Sequence, residues 1–401
     1  MRNKALSTPE IHQLRVAFFQ RIFAHYQAGL VWQLARYSEH EYHFFSHNQD
    51  PQGSGIEPIP AGLWNQVKFT PCRTVQFGKY LAFQWRAVCE ALFGDFDTYI
   101  LEGSFTILTN WLAIPAARLR GKRVLLYSHG WLHRESGCKG WLRIRFYRLA
   151  NGLLLYGNRA KEIGEAYGFS PEKLYVAFNS LDDVSINHWR ERITWTLCDD
   201  FRSELLGADS TKPLIIGVGR LNKAKNYPLL LRAADCLGRQ GCDVNILLVG
   251  DGPERIALEH MAKEIGIRMT ITGARYDEEF ISLCFSSSDM TVIPGAAGLT
   301  VIHSLSYGTP VVVHDNYEKQ GPEADAVKDG INGALFRFGD AGALADAIKR
   351  VFDILPRSPD VAEQCRSTVE TTYSPKRMRT VFDHAVDGRS ASLSLPNEGI
   401  R

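Results

Sequence analysis

Residues 292–315, VIPGAAGLTVIHSLSYGTPVVVHD, hold an apolar run that stops at Pro294-Gly295, restarts as a helical pattern near Leu299 and ends in a second apolar run. A strand that feeds a short loop and then a helix aims free backbone N–H groups outward, and such a helix start favours an anion, most often phosphate. Gly295 and Gly298 let a ligand come close to the backbone, because no side chain intervenes. The same pattern is also an ordinary tight turn that binds nothing, and the loop alone leaves both readings open. GVGRLNKAKN, 217–226, puts Arg220 and Lys225 in the loop after another apolar run. Arginine offers a planar fork and lysine a mobile point charge, and both suit a diphosphate. LLYSHGWLHRE places His129 at the end of a run in the first half, where an imidazole can polarise a hydroxyl or accept its proton. A histidine satisfied within the fold is the plainer alternative there. GDGPE, 250–254, is good turn chemistry without the third glycine of a dinucleotide fingerprint, and no P-loop signature occurs.

These groups need a frame that brings them to one place. LRVAFFQ, EYHFFSHN, DTYILEG, KRVLLYSHG, GLLLYGN and KLYVAFNS predict strands in the first half; PLIIGVG, VNILLVG, MTITG, MTVIPG and TPVVVHD repeat the scheme in the second. Runs so continuously apolar belong in parallel sheets covered on both faces. Helical patterns alternate with them, which gives right-handed βαβ units and an α/β chain with two doubly wound, Rossmann-like domains. Sheets of this kind bind ligands beyond the carboxyl ends of their strands, and every group above falls at such an end. The expected divisions are 1–185 for an acceptor-side domain, 186–375 for a linker helix and a second domain, and 376–401 for a last helix and a loose tail.

A chain of 401 residues, 45% hydrophobic and 22% charged, exceeds one ordinary core and reads as globular. No run reaches the roughly 20 apolar residues of a membrane span, and MRNKALSTPEIHQ lacks the centre of a signal peptide. The eight cysteines are scattered with no Cys-x-x-Cys, so reduced thiols in a cytoplasmic protein and no metal site are expected. The net charge of +2 conceals nine basic residues against Glu135 alone between Pro115 and Arg148. In KGWLRIRFYRL, aromatic residues interleave with the charge (Trp141, Arg143, Arg145, Phe146, Arg148), which suggests an anionic membrane surface as partner; a solvated basic face is the alternative.

Taken together, GVGRLNKAKN, LLVGDGPE, TGARYDEEFISLCFSSSDMTVIPG, GLTVIHSLSYGTPVV and DGINGALF resemble, in order and spacing, the retaining nucleotide-sugar-dependent glycosyltransferases of family four. SHGW, YGN and NSLDD look like its bacterial surface-polysaccharide branch. The resemblance implies the GT-B architecture, with two Rossmann-like domains facing a cleft. It assigns the donor diphosphate to Arg220 and Lys225 and to the backbone of Gly298, Leu299 and Thr300. It puts the nucleotide base at Gly273, Ala274 and Arg275, and sets His129 by the transferred sugar. The family usually has two glutamates eight positions apart, where this chain has Gly295 and His303. His303 can still hydrogen-bond a ribose, and Glu323 in QGPEAD is a substitute carboxylate a little further on.

The implied activity is transfer of a sugar, with retention and without a metal or other cofactor, from a nucleotide sugar to a glycan or lipid-linked glycan in cell-surface polysaccharide synthesis. Nucleic acid is not an expected partner. The protein is expected in the cytoplasm or on the inner face of the cell membrane. A sugar-nucleotide epimerase or hydrolase on the same fold, and an inactive nucleotide-binding scaffold, are the competing readings.

Overall fold

The structure, a computed structural model, describes residues 13–47, 57–78 and 81–391. Most of the N-terminal segment judged against a signal peptide, and the expected tail beyond Ala391, lie outside the described residues. The first half contains β1 (Arg15–Phe19), β2 (Glu41–Ser46), β3 (Phe69–Pro71), the hairpin strands β4 (Val75–Phe77) and β5 (Leu81–Phe83), β6 (Thr98–Glu102), β7 (Arg123–Ser128), β8 (Gly152–Leu155) and β9 (Leu174–Val176). The second contains β10 (Leu214–Val218), β11 (Asn245–Val249), β12 (Met269–Ile271), β13 (Met290–Ile293), β14 (Val311–His314) and β15 (Gly333–Phe336).

Seven strands form one parallel sheet in the order β3-β2-β1-β6-β7-β8-β9, and six form another in the order β12-β11-β10-β13-β14-β15. This is the two-domain GT-B arrangement. In each sheet the strand order reverses beside the first strand, at β1/β6 and at β10/β13. A crevice opens at such a reversal, because the connections on either side depart in opposite directions. The loops that leave those four strands are 20–27, 103–109, 219–226 and 294–299, and they carry much of the predicted chemistry.

Burial explains the strands. Val16, Ala17, Phe18 and Phe19 are all buried, and they alternate between two apolar clusters on opposite faces of the first sheet. One cluster is completed from far along the chain. Helix Pro375–Val386 lays Met378, Val381, Phe382 and Ala385 against the first sheet, with Phe382 5.7 Å from Phe18 and 5.2 Å from Tyr127. Its polar side is tied as well, since Ser38 Oγ donates to Asp383 at 2.6 Å and Arg123 Nε to the carbonyl of Ala385 at 2.7 Å. The last helix therefore belongs to the core of the domain built by the start of the chain.

The basic-aromatic stretch is split by its helix, Gly137–Tyr147. Phe146 is fully buried in the core, and Arg143 turns inward, its Nη1 donating to the carbonyl of Gly130 at 2.8 Å. Of the expected membrane-facing residues, Trp141, Arg145 and Arg148 remain outside. The helical period puts 143 and 146 on a different face from 141, 145 and 148. No helix among the described residues is long and apolar enough to cross a membrane.

Candidate functional site

On the second-domain side, the loop after β13 is set by close backbone contact. A Cβ on Gly295 would lie 2.1 Å from the carbonyl oxygen of Ala224, so only glycine lets the 222–225 turn come this near. Ala296 N–H donates to that same oxygen at 2.9 Å, and Lys225 Nζ donates to the carbonyl of Ala296 at 2.9 Å. From the other side Gln320 Oε1 accepts from Ala297 N–H at 2.8 Å. These braces stop short of the next three residues. The N–H groups of Gly298, Leu299 and Thr300 have no acceptor among the described residues, and nothing lies within 4 Å of where a Gly298 Cβ would be. The helix that follows, Thr300–Ser306, begins one residue later than the sequence pattern suggests.

Arg220 is exposed at the end of β10, and its guanidinium has no hydrogen-bond or ion-pair partner among the described residues. Lys225 differs in kind. Burial holds its ammonium below the usual lysine range, with Glu323 acting in the opposite sense. Glu323 is 5% exposed, and Asn179 Nδ2, from the loop after β9, donates to it at 3.2 Å. Burial raises its carboxyl above the ordinary range, against the Asn179 bond and the Lys225 charge. The structure thus brings Lys225, Glu323 and the braced loop together, with Asn179 of the first half joining them.

His303 is held by a neighbour. Its Nε2 lies 2.6 Å from Glu278 Oε1, and Tyr307 Oη donates to the same oxygen at 2.6 Å. Burial works to raise the Glu278 carboxyl, but these two bonds and the field of His25 outweigh it and hold the carboxyl low. Gly273 has a φ of +80° and bridges Gly250, Ala274 is exposed, and Arg275 is turned onto Asp277 at 2.8 Å and over the Phe280 ring at 4.2 Å.

The first domain contributes a cavity of about 390 Å³ at the carboxyl ends of β1, β6 and β7. His129 lines it with its ring 4.2 Å from that of Tyr156. The residue is exposed on its cavity side, while its ring lies against Tyr156. Burial keeps the imidazole below its usual range despite the charge of Glu102. It is therefore neutral near pH 7 and able to accept a proton. The sequence pattern did not single out Glu102, which Arg21 grips twice, through its backbone N–H at 2.9 Å and its Nε at 2.8 Å. Tyr26, Tyr127, Tyr147 and Arg143 complete the wall. Burial, then Glu323 and Glu102, push the Tyr26 hydroxyl up, which places Tyr26 in the fields of carboxylates from both halves. The sequence marks Arg21, Tyr26 and Glu102 only by their place at or after the ends of predicted strands, and Arg143 only as part of the basic-aromatic stretch, while Tyr127 inside β7 and Tyr147 at the end of helix Gly137–Tyr147 carry no site signal. No group of three or more His, Cys, Asp or Glu is gathered for a metal among the described residues.

A family model described as glycosyl transferases group 1 matches residues 200–367, the part that contains the whole second sheet. The chain is 28% identical over 176 residues to an alpha-D-kanosaminyltransferase of Streptomyces kanamyceticus, covering 43% of this chain and 44% of that one. It is 29% identical over 288 residues to the sulfoquinovosyl transferase SQD2 of Arabidopsis thaliana, covering 68% and 48% respectively. The chain spans about half the length of these curated relatives. Among solved structures, Anabaena HepE in complex with UDP superposes with a TM-score of 0.69 at 15% identity, over 93% of this chain and 100% of that one. The apo form of the lipopolysaccharide outer core galactosyltransferase WaaB superposes at 0.65 and 15% identity, over 93% and 99%. The fold is common to this chain and these two structures.

Proposed function

We propose that the protein transfers a sugar from a nucleotide-sugar donor, held by the second domain, to an acceptor hydroxyl in the cavity of the first. One observation carries this reading: among the described residues, three consecutive N–H groups at 298–300 are unpaired in a domain whose Arg220 has no partner. Unsatisfied donors and an unneutralised guanidinium are what a diphosphate leaving group would satisfy. The names of the two relatives, a kanosaminyltransferase and a sulfoquinovosyl transferase, and the structures of Anabaena HepE with UDP and UDP-glucose support it.

In this scheme Arg220 and the 298–300 backbone neutralise the leaving diphosphate. Lys225 shapes the loop through Ala296 and adds positive field. The base lies by Gly273, Ala274 and Arg275. The ribose meets the His303–Glu278 pair, where Glu278 supplies a carboxylate close to the one missing at 303. Glu323 stands near the donor sugar in place of the one missing at 295, and His129 faces that sugar from the first domain. Retention, a lipid-linked glycan acceptor and a role in surface polysaccharide are part of the proposal. So is seating on the inner membrane through Trp141, Arg145 and Arg148. Trp141 is 58% exposed and Leu119 89%, on neighbouring helices of the first domain.

The test is incubation with a panel of nucleotide sugars and glycan acceptors, with products identified by mass spectrometry and anomeric configuration by NMR. Donor turnover that ignores the acceptor makes the protein a hydrolase or epimerase, and nucleotide binding without turnover makes it a scaffold. Arg220→Ala is expected to lose a charge-assisted interaction of roughly 1.5–3 kcal/mol, about tenfold or more in nucleoside-diphosphate affinity.

A further inference from the structure

A second cavity, of about 370 Å³, opens beside the edge strand β9, and no residue lining it lines the cavity of the cleft. Its basic side chains come from three separate parts of the chain. Lys161 is on helix Asn158–Ala166, Lys328 follows the short turn Pro322–Ala326, and Arg377 and His384 are on the last helix. Among the described residues none of these four makes an ion pair. Among the described residues Arg377 Nε is buried with no hydrogen-bond partner, and burial holds its guanidinium below the ordinary range with no carboxylate to offset it. The one acid on the wall among the described residues is Asp325. Its carboxyl is pushed up by burial and by Glu162 against the charges of Lys328 and Arg159, and it already accepts the backbone N–H of Asn158. Three cations around a single carboxylate, in a partly open cavity, leave an excess of positive charge on its walls, with Arg377 Nε still unpartnered among the described residues.

We propose that this cavity is a second, non-catalytic site for a small phosphate-bearing anion, which would touch both domains and the last helix at once. An arginine fork with two ammonium groups on other walls fits a tetrahedral, multiply charged group better than a single carboxylate. The space left over accommodates the body of a phosphate ester, within the size range of small-molecule pockets. The proposal stands apart from the sugar-transfer reading, because it uses none of the residues of the cleft.

The experiment is calorimetric titration of the full chain with glycerol 3-phosphate and, separately, inorganic phosphate, each with and without saturating UDP. Saturable binding is expected in both UDP conditions, tighter for the ester than for the free ion. Arg377→Gln and Lys161→Gln should each weaken it by about tenfold, and Arg220→Ala should leave it unchanged. Lys161 sits in the first turn of its helix, is not part of the buried core and makes no ion pair among the described residues, so Lys161→Gln separates loss of the site from loss of the fold if Arg377→Gln melts early. Absence of saturable binding at millimolar ligand overturns the proposal, as does wild-type affinity in Lys161→Gln. Binding abolished by Arg220→Ala or by UDP would assign the anion to the cleft and overturn it equally.

Discussion

Replacement of Gly295 by alanine isolates the contact on which the phosphate loop is built. Gly295 is absent from the glycines with positive φ, so packing alone excludes a side chain. Its new Cβ would stand 2.1 Å from the Ala224 oxygen and 2.7 Å from the Lys225 carbonyl carbon, where ordinary contact begins near 3.4 Å. These are backbone atoms, and no rotamer change relieves them. The 222–225 turn must retreat by more than an ångström, and the Ala296–Ala224 and Lys225–Ala296 bonds go with it. Overpacking of this kind costs about 1–3 kcal/mol. At about 2–4 °C per kcal/mol for a domain of this size, Tm should fall by about 2–12 °C. Nucleoside-diphosphate affinity should fall too, since the moving turn carries Lys225 and adjoins Arg220. Gly298→Ala is the matched control. With nothing within 4 Å of its Cβ, it should melt within about 0.5 kcal/mol of wild type. Differential scanning calorimetry with a parallel nucleotide titration reads both quantities. If Gly295→Ala melts with Gly298→Ala and wild type, the close approach is not a real constraint and the reasoning fails. The same geometry predicts that Gly295→Glu, although it supplies the carboxylate usual in the resembled family, damages both folding and binding.

Glu323→Gln should gain stability over wild type as pH rises from about 4 to 7. A carboxyl whose folded pKa is raised by burial contributes below its unfolded value and loses that contribution as pH climbs through the folded one; parallel Tm–pH curves for the two proteins would refute the burial argument. His303→Glu should lower Tm at pH 7 and recover towards pH 5, because the new carboxylate faces Glu278 where the imidazole Nε2 now lies 2.6 Å away. A variant as stable as wild type at pH 7 would mean that Glu278 does not depend on His303. Vesicle sedimentation should show salt-sensitive binding to anionic lipid, reduced in Trp141→Ala/Arg145→Ala, at about 1 kcal/mol per near-surface cation. Phe146→Ala should instead unfold the domain, as a core truncation of about 3–5 kcal/mol. Equal binding to neutral and anionic vesicles would remove the membrane from the proposal.

The eleven strands expected from apolar runs all occur, because such runs leave little other way to hide their side chains. The strands that escaped are those whose own residues carry weak signals. β3, Phe69–Pro71, is three residues long and partly exposed, and the hairpin of β4 and β5 pairs residues that alternate with solvent. β15 hides behind a glycine whose Cβ would strike the Val311 oxygen at 1.9 Å. In the site, the motif residues were legible because loop chemistry is local. Arg21 and Glu102 were not, since 81 positions separate them and only the β1–β6 pairing makes them neighbours. The partner of His303 was invisible for the same reason, as Glu278 reaches it from another helix. Periodicity marked the 141–148 stretch as basic and aromatic, and the helix phase alone decided which of those residues face out.

The last helix has a bearing on how the protein is made. A ribosome finishes the strands of the first sheet by residue 176, yet Met378, Phe382 and Ala385, which seal one face of that sheet, emerge some two hundred residues later. During that interval the nascent first domain carries an open apolar face over Phe18, Tyr127 and their neighbours. The second domain, whose sheet is complete by Phe336, can close its own core before the first. Domains usually mature in the order of synthesis, and here the order is inverted for that face. The exposed face is the species a chaperone would meet, and docking of the last helix is the event that ends its exposure.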